Sequence, residues 1–109
     1  MGDEAWLPED MLEAFKALAN PIRLQIMQWL RDPDHEFADY EPIADRQVVG
    51  VCVSHIQAKA GLAQSTVSSY MATLERARLV NSTRVGKWTH YRRDENRLRQ
   101  LSIAIGEHL

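Results

Sequence analysis

The chain has 109 residues, 45% of them apolar and 26% charged, with a formal net charge of −2. This is enough for a single domain, 1–109, with its own core and an ordinary soluble composition. No apolar run approaches the roughly 18 residues of a membrane span, and no basic and apolar leader opens the chain. The single cysteine, Cys52, excludes an internal disulfide and fits a reducing, cytoplasmic setting without membrane contact.

The small net charge hides an asymmetry. Residues 1–50 hold 4 Lys and Arg against 11 Asp and Glu, whereas residues 51–109 hold 9 against 4. Between positions 52 and 93 the only acid is Glu75, set against Lys59, Arg76, Arg78, Arg84, Lys87, Arg92 and Arg93. A basic half of this kind points to a polyanionic partner.

Residues 1–7 read as a loose lead in which Trp6 and Leu7 are free to pack on the domain. Pro8, followed by Glu9 and Asp10, opens a first helix with Leu12, Phe15 and Ala19 as its apolar face. Asn20-Pro21 caps and starts a second helix, broadly apolar through Ile22, Leu24, Ile26, Met27, Trp29 and Leu30. Asp32-Pro33-Asp34 ends it. Residues 32–49 then carry six acids, two prolines and little periodicity. They read as a mobile acidic loop with a short helical turn near Tyr40–Ala44, long for a small domain.

Val51-Cys52-Val53 reads as a short strand before a helix capped by Ser54, with Ile56 and Ala60 facing inward. Ala58, Ala60 and Gly61 let two helices meet closely, and Gly61 accepts the positive φ that ends the first of them. Ser65 is the expected N-cap of the next helix, running to about Arg78. Val67, Met71 and Leu74 recur at i, i+4 and i+7 and predict its buried stripe. The start of that helix offers Gln64, Ser65, Thr66, Ser68 and Ser69, all small or polar and none acidic. The pattern predicts a helix-turn-helix over about 54–78, its second helix suited to the major groove of double-stranded DNA.

Residues 79–85, a turn at Gly86-Lys87, and residues 88–92 predict a two-stranded hairpin. A basic hairpin directly after a helix-turn-helix is a wing, here about 79–93, with Arg84 and Lys87 near its tip and within reach of phosphates. Asp94 or Asn96 caps a last helix lined by Leu98, Leu101 and Ile105. The expected fold is mainly α with a small β-hairpin wing.

Four blocks in order then carry a resemblance: residues 18–26 (Leu-Ala-Asn-Pro-Ile-Arg-Leu-Gln-Ile), 51–56, 64–74 and 86–91. Along nearly its whole length the chain resembles the ArsR/SmtB family of winged helix-turn-helix repressors. The resemblance implies a homodimer joined through the first and last helices and an inverted-repeat operator released by a signal. It also implies DNA contacts at Gln64, Ser65, Thr66, Ser68 and Ser69, flanked by Tyr70, with Arg84 and Lys87 from the wing. Arg76 and Arg78 lie late in the helix and read as solvated or as phosphate contacts.

The sensing motif departs from the family. Metal-sensing members carry Cys-Val-Cys where this chain has Cys52-Val53-Ser54, and one thiol does not make a soft-metal site. Cys52 and His55 at i, i+3 suggest two ligands, with His35 or a loop acid as a third. The last helix offers only Glu107 and His108, at its end, without the spacing of the family's other metal site. No metal and no cofactor are therefore expected, and the inducer is unknown. Two readings of Cys52 stay open, a small buried hydrophobe or a thiol sensor beside His55. His90 reads as a packing residue. No glycine-rich phosphate loop and no nucleophile, base and acid set appears, so no enzyme is expected. A winged-helix interaction module without DNA binding is the remaining alternative.

Overall fold

Proline and asparagine set the helical frame. The computed structural model describes residues 6–109; the expected loose lead lies outside them at 1–5. Trp6 is buried instead, 6% exposed, and Leu7 is half exposed. Helix α1 (Pro8–Leu18) has Pro8 at its start and Glu9 and Asp10 in its positive first turn. Helix α2 (Pro21–Arg31) begins where the Asn20 side chain accepts from the amides of Ile22 and Arg23 at 2.9 and 3.0 Å.

The inward face of α1 differs from the expected one. Met11, Ala14 and Ala17 are buried, while Leu12 is 53% exposed, Phe15 is half-buried and Ala19 lies past the helix end. Small residues inward let α1 approach α2 and the later helix that packs on it, and this rotation turns Leu12 out. Ile26, Met27 and Leu30 are buried on α2, whereas Leu24 is exposed.

The acidic segment is more ordered than its composition suggests. It contains α3 (Pro33–Glu36) and α4 (Arg46–Val49), and no helical turn forms over Tyr40–Ala44. Pro33 starts a new helix as well as following the end of α2. Phe37 is fully buried and meets Trp29 edge-on at 6.2 Å. The Arg46 side chain, 7% exposed, donates to the carbonyl oxygens of Phe37, at 2.7 Å, and Tyr40. Buried charge must be hydrogen-bonded, and here two backbone carbonyls do it while fixing the loop between them.

Strand β1 (Val51–Cys52) leads directly into α5 (Val53–Ala60), then α6 (Gln64–Arg76), β2 (Val80–Val85), β3 (Trp88–Arg93) and α7 (Glu95–His108). The wing is not an isolated hairpin. It is a three-stranded antiparallel sheet in the order β1-β3-β2, with Val51 opposite Tyr91 and Cys52 opposite His90. Gly50 makes this docking possible. Its φ is +88°, and a Cβ built there would lie 2.0 Å from the Tyr91 carbonyl oxygen.

One expected cap of this region falls elsewhere. Val53 is helical and Cys52 stands at the cap of α5, because pairing with β3 holds Val51 and Cys52 as strand; Ser54 lies inside the helix. Gly61 ends α5 in the left-handed conformation, as expected. Asp94 caps α7, accepting from the Arg97 amide at 3.0 Å. On α7 the buried residues are Arg97, Leu101 and Ala104, while Leu98 is half-buried and Ile105 is 38% exposed.

His55, on α5, stacks on Tyr40 with ring centroids 5.1 Å apart. Burial first, then the positive charge of Arg46, lowers its pKa below the ordinary 6.5. The folded state therefore favours neutral His55. This stability is full above pH 6.5 and is lost as pH falls through the lower folded pKa. Denaturant unfolding at a series of pH values checks it: His55→Gln should flatten the loss below pH 6.5 relative to the unchanged chain. Gly50→Ala should destabilise by ~2–4 kcal/mol in the same assay, through positive φ and the clash with Tyr91.

Candidate nucleic-acid interface

The interface is built on the rotation of α6. Val67, Met71 and Leu74 are fully buried against the core. Each buried side chain of this size contributes about 1.5–3 kcal/mol, so the stripe holds the helix in one orientation. Gln64, Ser65, Ser68 and Ser69 are left exposed on the other side, and Thr66 is half-buried.

Ser65 is not the N-cap. Gly61, in the left-handed conformation, is followed by extended Ala63, so α6 starts at Gln64 and Ala63 takes the cap position without a side-chain hydrogen bond. Ser65 stands at the second helical position with its side chain exposed. The first turn of a 13-residue helix is thus left without a side-chain cap and without an acid. Such a terminus presents free amides and the positive end of the helix dipole, both favourable to phosphate.

At its other end α6 stops at Arg76, two residues before the expected limit. Arg78 takes a φ of +64°, and the Leu79 amide donates to the Leu74 carbonyl oxygen at 3.0 Å. This closes the helix and turns the chain into the wing. Glu75, the lone acid of α6, accepts from the Ser82 hydroxyl at 2.6 Å. That bond joins the helix to β2 and removes its carboxylate from competition with anions.

Arg84 shares the β2 face of Ser82, two residues on toward the tip. Its Nε donates to the Gly86 carbonyl oxygen at 3.2 Å across the turn, and the side chain stays exposed. Lys87 occupies the tip, its ammonium 5.3 Å from the Trp88 ring centroid. Val85 and Trp88 pair across the turn.

Other cations are committed to the fold. Lys59 pairs with Glu36 at 3.8 Å and sits over the rings of Trp29 and Phe37. Arg93 grips Glu95 through two hydrogen bonds of 2.7 and 2.9 Å. Tyr70 is half-buried beneath the Arg23 guanidinium, 5.2 Å from its ring centroid. Arg23 in turn donates to the Ala17 and Lys16 carbonyl oxygens at the end of α1. This link between α1 and α6 went unread in the sequence. Its one signal is an arginine in the first turn of a largely apolar helix.

The candidate sensor residues do not assemble as a ligand cluster. Cys52 is 2% exposed, and its sulfur lies 3.1 Å from the Ser54 hydroxyl. Because Cys52 belongs to β1, it does not share a helix face with His55. His35 is exposed on α3. Among the described residues, no group of three or more His, Cys, Asp or Glu side chains is placed to hold a metal ion. His90 packs fully buried opposite Cys52, with both ring nitrogens lacking a partner among the described residues. No described helix is long and apolar enough to cross a membrane.

No family model matches the chain. Individual relatives do. The HTH-type transcriptional regulator YbzH of Bacillus subtilis is 50% identical over 91 residues, 84% of this chain and 90% of the relative. A transcriptional repressor SmtB homolog of Synechocystis is 29% identical over 101 residues, 93% of this chain and 64% of the relative. Among solved structures, an ArsR family transcriptional regulator superposes with a TM-score of 0.70 at 16% identity, covering 95% of this chain and 91% of its own. A homodimeric winged helix-turn-helix DNA-binding domain from Mycobacterium bovis gives 0.61 at 28% identity, covering 93% and 82%. These relatives are regulators, in agreement with the non-enzymatic reading. The chain belongs to the ArsR/SmtB family of winged helix-turn-helix transcriptional regulators.

Proposed function

We propose that the protein is a homodimeric repressor that binds an inverted-repeat operator in double-stranded DNA and leaves it in response to a signal. The carrying observation is the exposed, acid-free and uncapped start of α6, joined through Glu75 and Ser82 to a basic wing. In this reading Gln64 reads a base edge, and Ser65, Thr66, Ser68 and Ser69 contact bases or phosphates. Tyr70 flanks them, held in place by Arg23. Arg84 and Lys87 neutralise phosphates from the wing, and Arg76 is exposed for a further phosphate contact. A two-fold dimer sets the two α6 helices roughly 34–36 Å apart, one turn of DNA.

Apolar surface on the first and last helices supports the dimer. Leu12, Ile103, Ile105 and Leu109 are 53%, 53%, 38% and 82% exposed. A groove of about 450 Å³ between Trp6, Leu12, Phe15 and Leu109 joins the start of α1 to the end of α7. Single exposed apolar residues are ordinary, and Leu24, Ile43 and Val48 are others, but Leu12 and Leu109 also line one apolar groove, which supports an interface there. The M. bovis relative, described as homodimeric, agrees with this. The dimer in turn brings two basic wings to one operator, which the interaction-module alternative does not require.

Fluorescence anisotropy with operator fragments at a series of salt concentrations tests the DNA reading. Binding should weaken steeply with salt, and Arg84→Ala with Lys87→Ala should lower the log–log slope by about 1 per lost phosphate contact. Gln64→Ala should cost ~1–3 kcal/mol and relax preference at one operator position. A flat salt response would support the interaction-module reading instead. For the dimer, sedimentation of Leu12→Glu with Ile105→Glu should show association weakened at least about 100-fold. An unchanged dimer would place the interface elsewhere.

A further inference from the structure

A cleft of about 340 Å³ lies at the base of the wing, away from the wing tip. It is walled by the last turn of α2, by α4, by the β2 and β3 strands at their shared Asn81 and Arg92 register, and by the start of α7. Its size falls at the small end of ligand pockets, which run about 300–1,000 Å³. Most such pockets are apolar, but this one is lined by Arg31, Arg46, Arg92 and Arg93 together with amide side chains.

The two lining carboxylates are already engaged. Asp94 caps α7, and Glu95 is held by Arg93. Arg31 and Arg92 are exposed and form no ion pair or hydrogen bond among the described residues. Arg46 is 93% buried, and its Nε lacks a partner among the described residues. Asp34 reaches only its Nη1, at 3.7 Å, too long for a hydrogen bond. An orphaned buried donor and two unpaired guanidinium groups on one cleft leave a deficit of negative charge.

We propose that this cleft binds a small anion carrying carboxylate or phosphate groups. Arg31 and Arg92 grip it from opposite walls, Arg46 donates from below, and Asn81 and Asn96 select for additional oxygen atoms. Planar guanidinium forks match both kinds of anionic group. A ligand held this way ties the end of α2 to the base of the wing. Its effect on operator affinity rests on the DNA-binding reading, whereas its uptake does not.

Isothermal calorimetry on the full chain without DNA, at constant ionic strength, tests the site with inorganic phosphate and with citrate. At least one should bind saturably, once per chain. Arg31→Gln and Arg92→Gln should each weaken binding at least about tenfold, and Arg99→Gln, exposed and outside the cleft, should not. Uptake of phosphate alone assigns a phosphorylated ligand, of citrate alone a polycarboxylate, and of both a site that reads charge. Circular dichroism confirms that the variants, altered only at exposed arginines, remain folded. No saturable uptake of either anion, or equal binding by all variants, overturns the proposal. Anisotropy with the bound anion then reads its effect on DNA separately, so loss of DNA binding does not count against the site.

Discussion

Everything outward on this molecule depends on which way α6 is turned, and Val67, Met71 and Leu74 decide that. All three are fully buried. Rotating the helix by one residue position, about 100°, would move part of this stripe into water and cost several kcal/mol. The polar residues at the helix start are therefore presented by the core and not by any bond of their own. The absence of a side-chain cap at Ala63 fits this division. Packing holds the helix, and its first amides and hydroxyls remain free for a partner.

The wing is held to the same frame at two points. The Ser82 to Glu75 bond joins it to α6 on one side. On the other, β1 adds a third strand to the hairpin, and Gly50 lets the chain cross the Tyr91 backbone closely enough for that pairing. A two-stranded hairpin alone is marginal in water, so the third strand gives the wing a fixed base. The acidic half of the chain completes this base. Phe37 enters the core, Arg46 clamps the carbonyls of residues 37 and 40, and Lys59 meets Glu36. Negative charge is thereby kept on a segment anchored to α5 and absent from the exposed start of α6.

Features that rest on local chemistry were legible. The Asn20 cap, the Gly61 corner, the Asp94 cap and the i, i+4, i+7 stripe of α6 each depend on a few neighbouring residues, and each lies where the pattern predicts. Features that depend on partners distant in sequence were not. Two residues of β1 have no periodicity from which pairing with β3 follows. Phe37 is one of two aromatics among acids, and only its burial against Trp29 shows that it is core. On α1, Leu12 looked more buried than Ala14 by hydrophobicity, yet close helix packing favoured the smaller side chain. Ser65 looked like a cap because serine is a good one, but the extended Ala63 set the cap two residues earlier. The candidate interface was readable for the same reason as the caps, since its polar residues are contiguous on one helix. The anion cleft gathers residues from six elements, which only the fold brings together.

The central claim is sequence-specific recognition of DNA by the start of α6. Its most direct measurement is selection of genomic fragments by the purified protein at physiological salt, followed by sequencing of what is retained. The account predicts enrichment of a short inverted repeat whose half-sites are one helical turn apart. A folded protein that enriches no sequence under these conditions would contradict it.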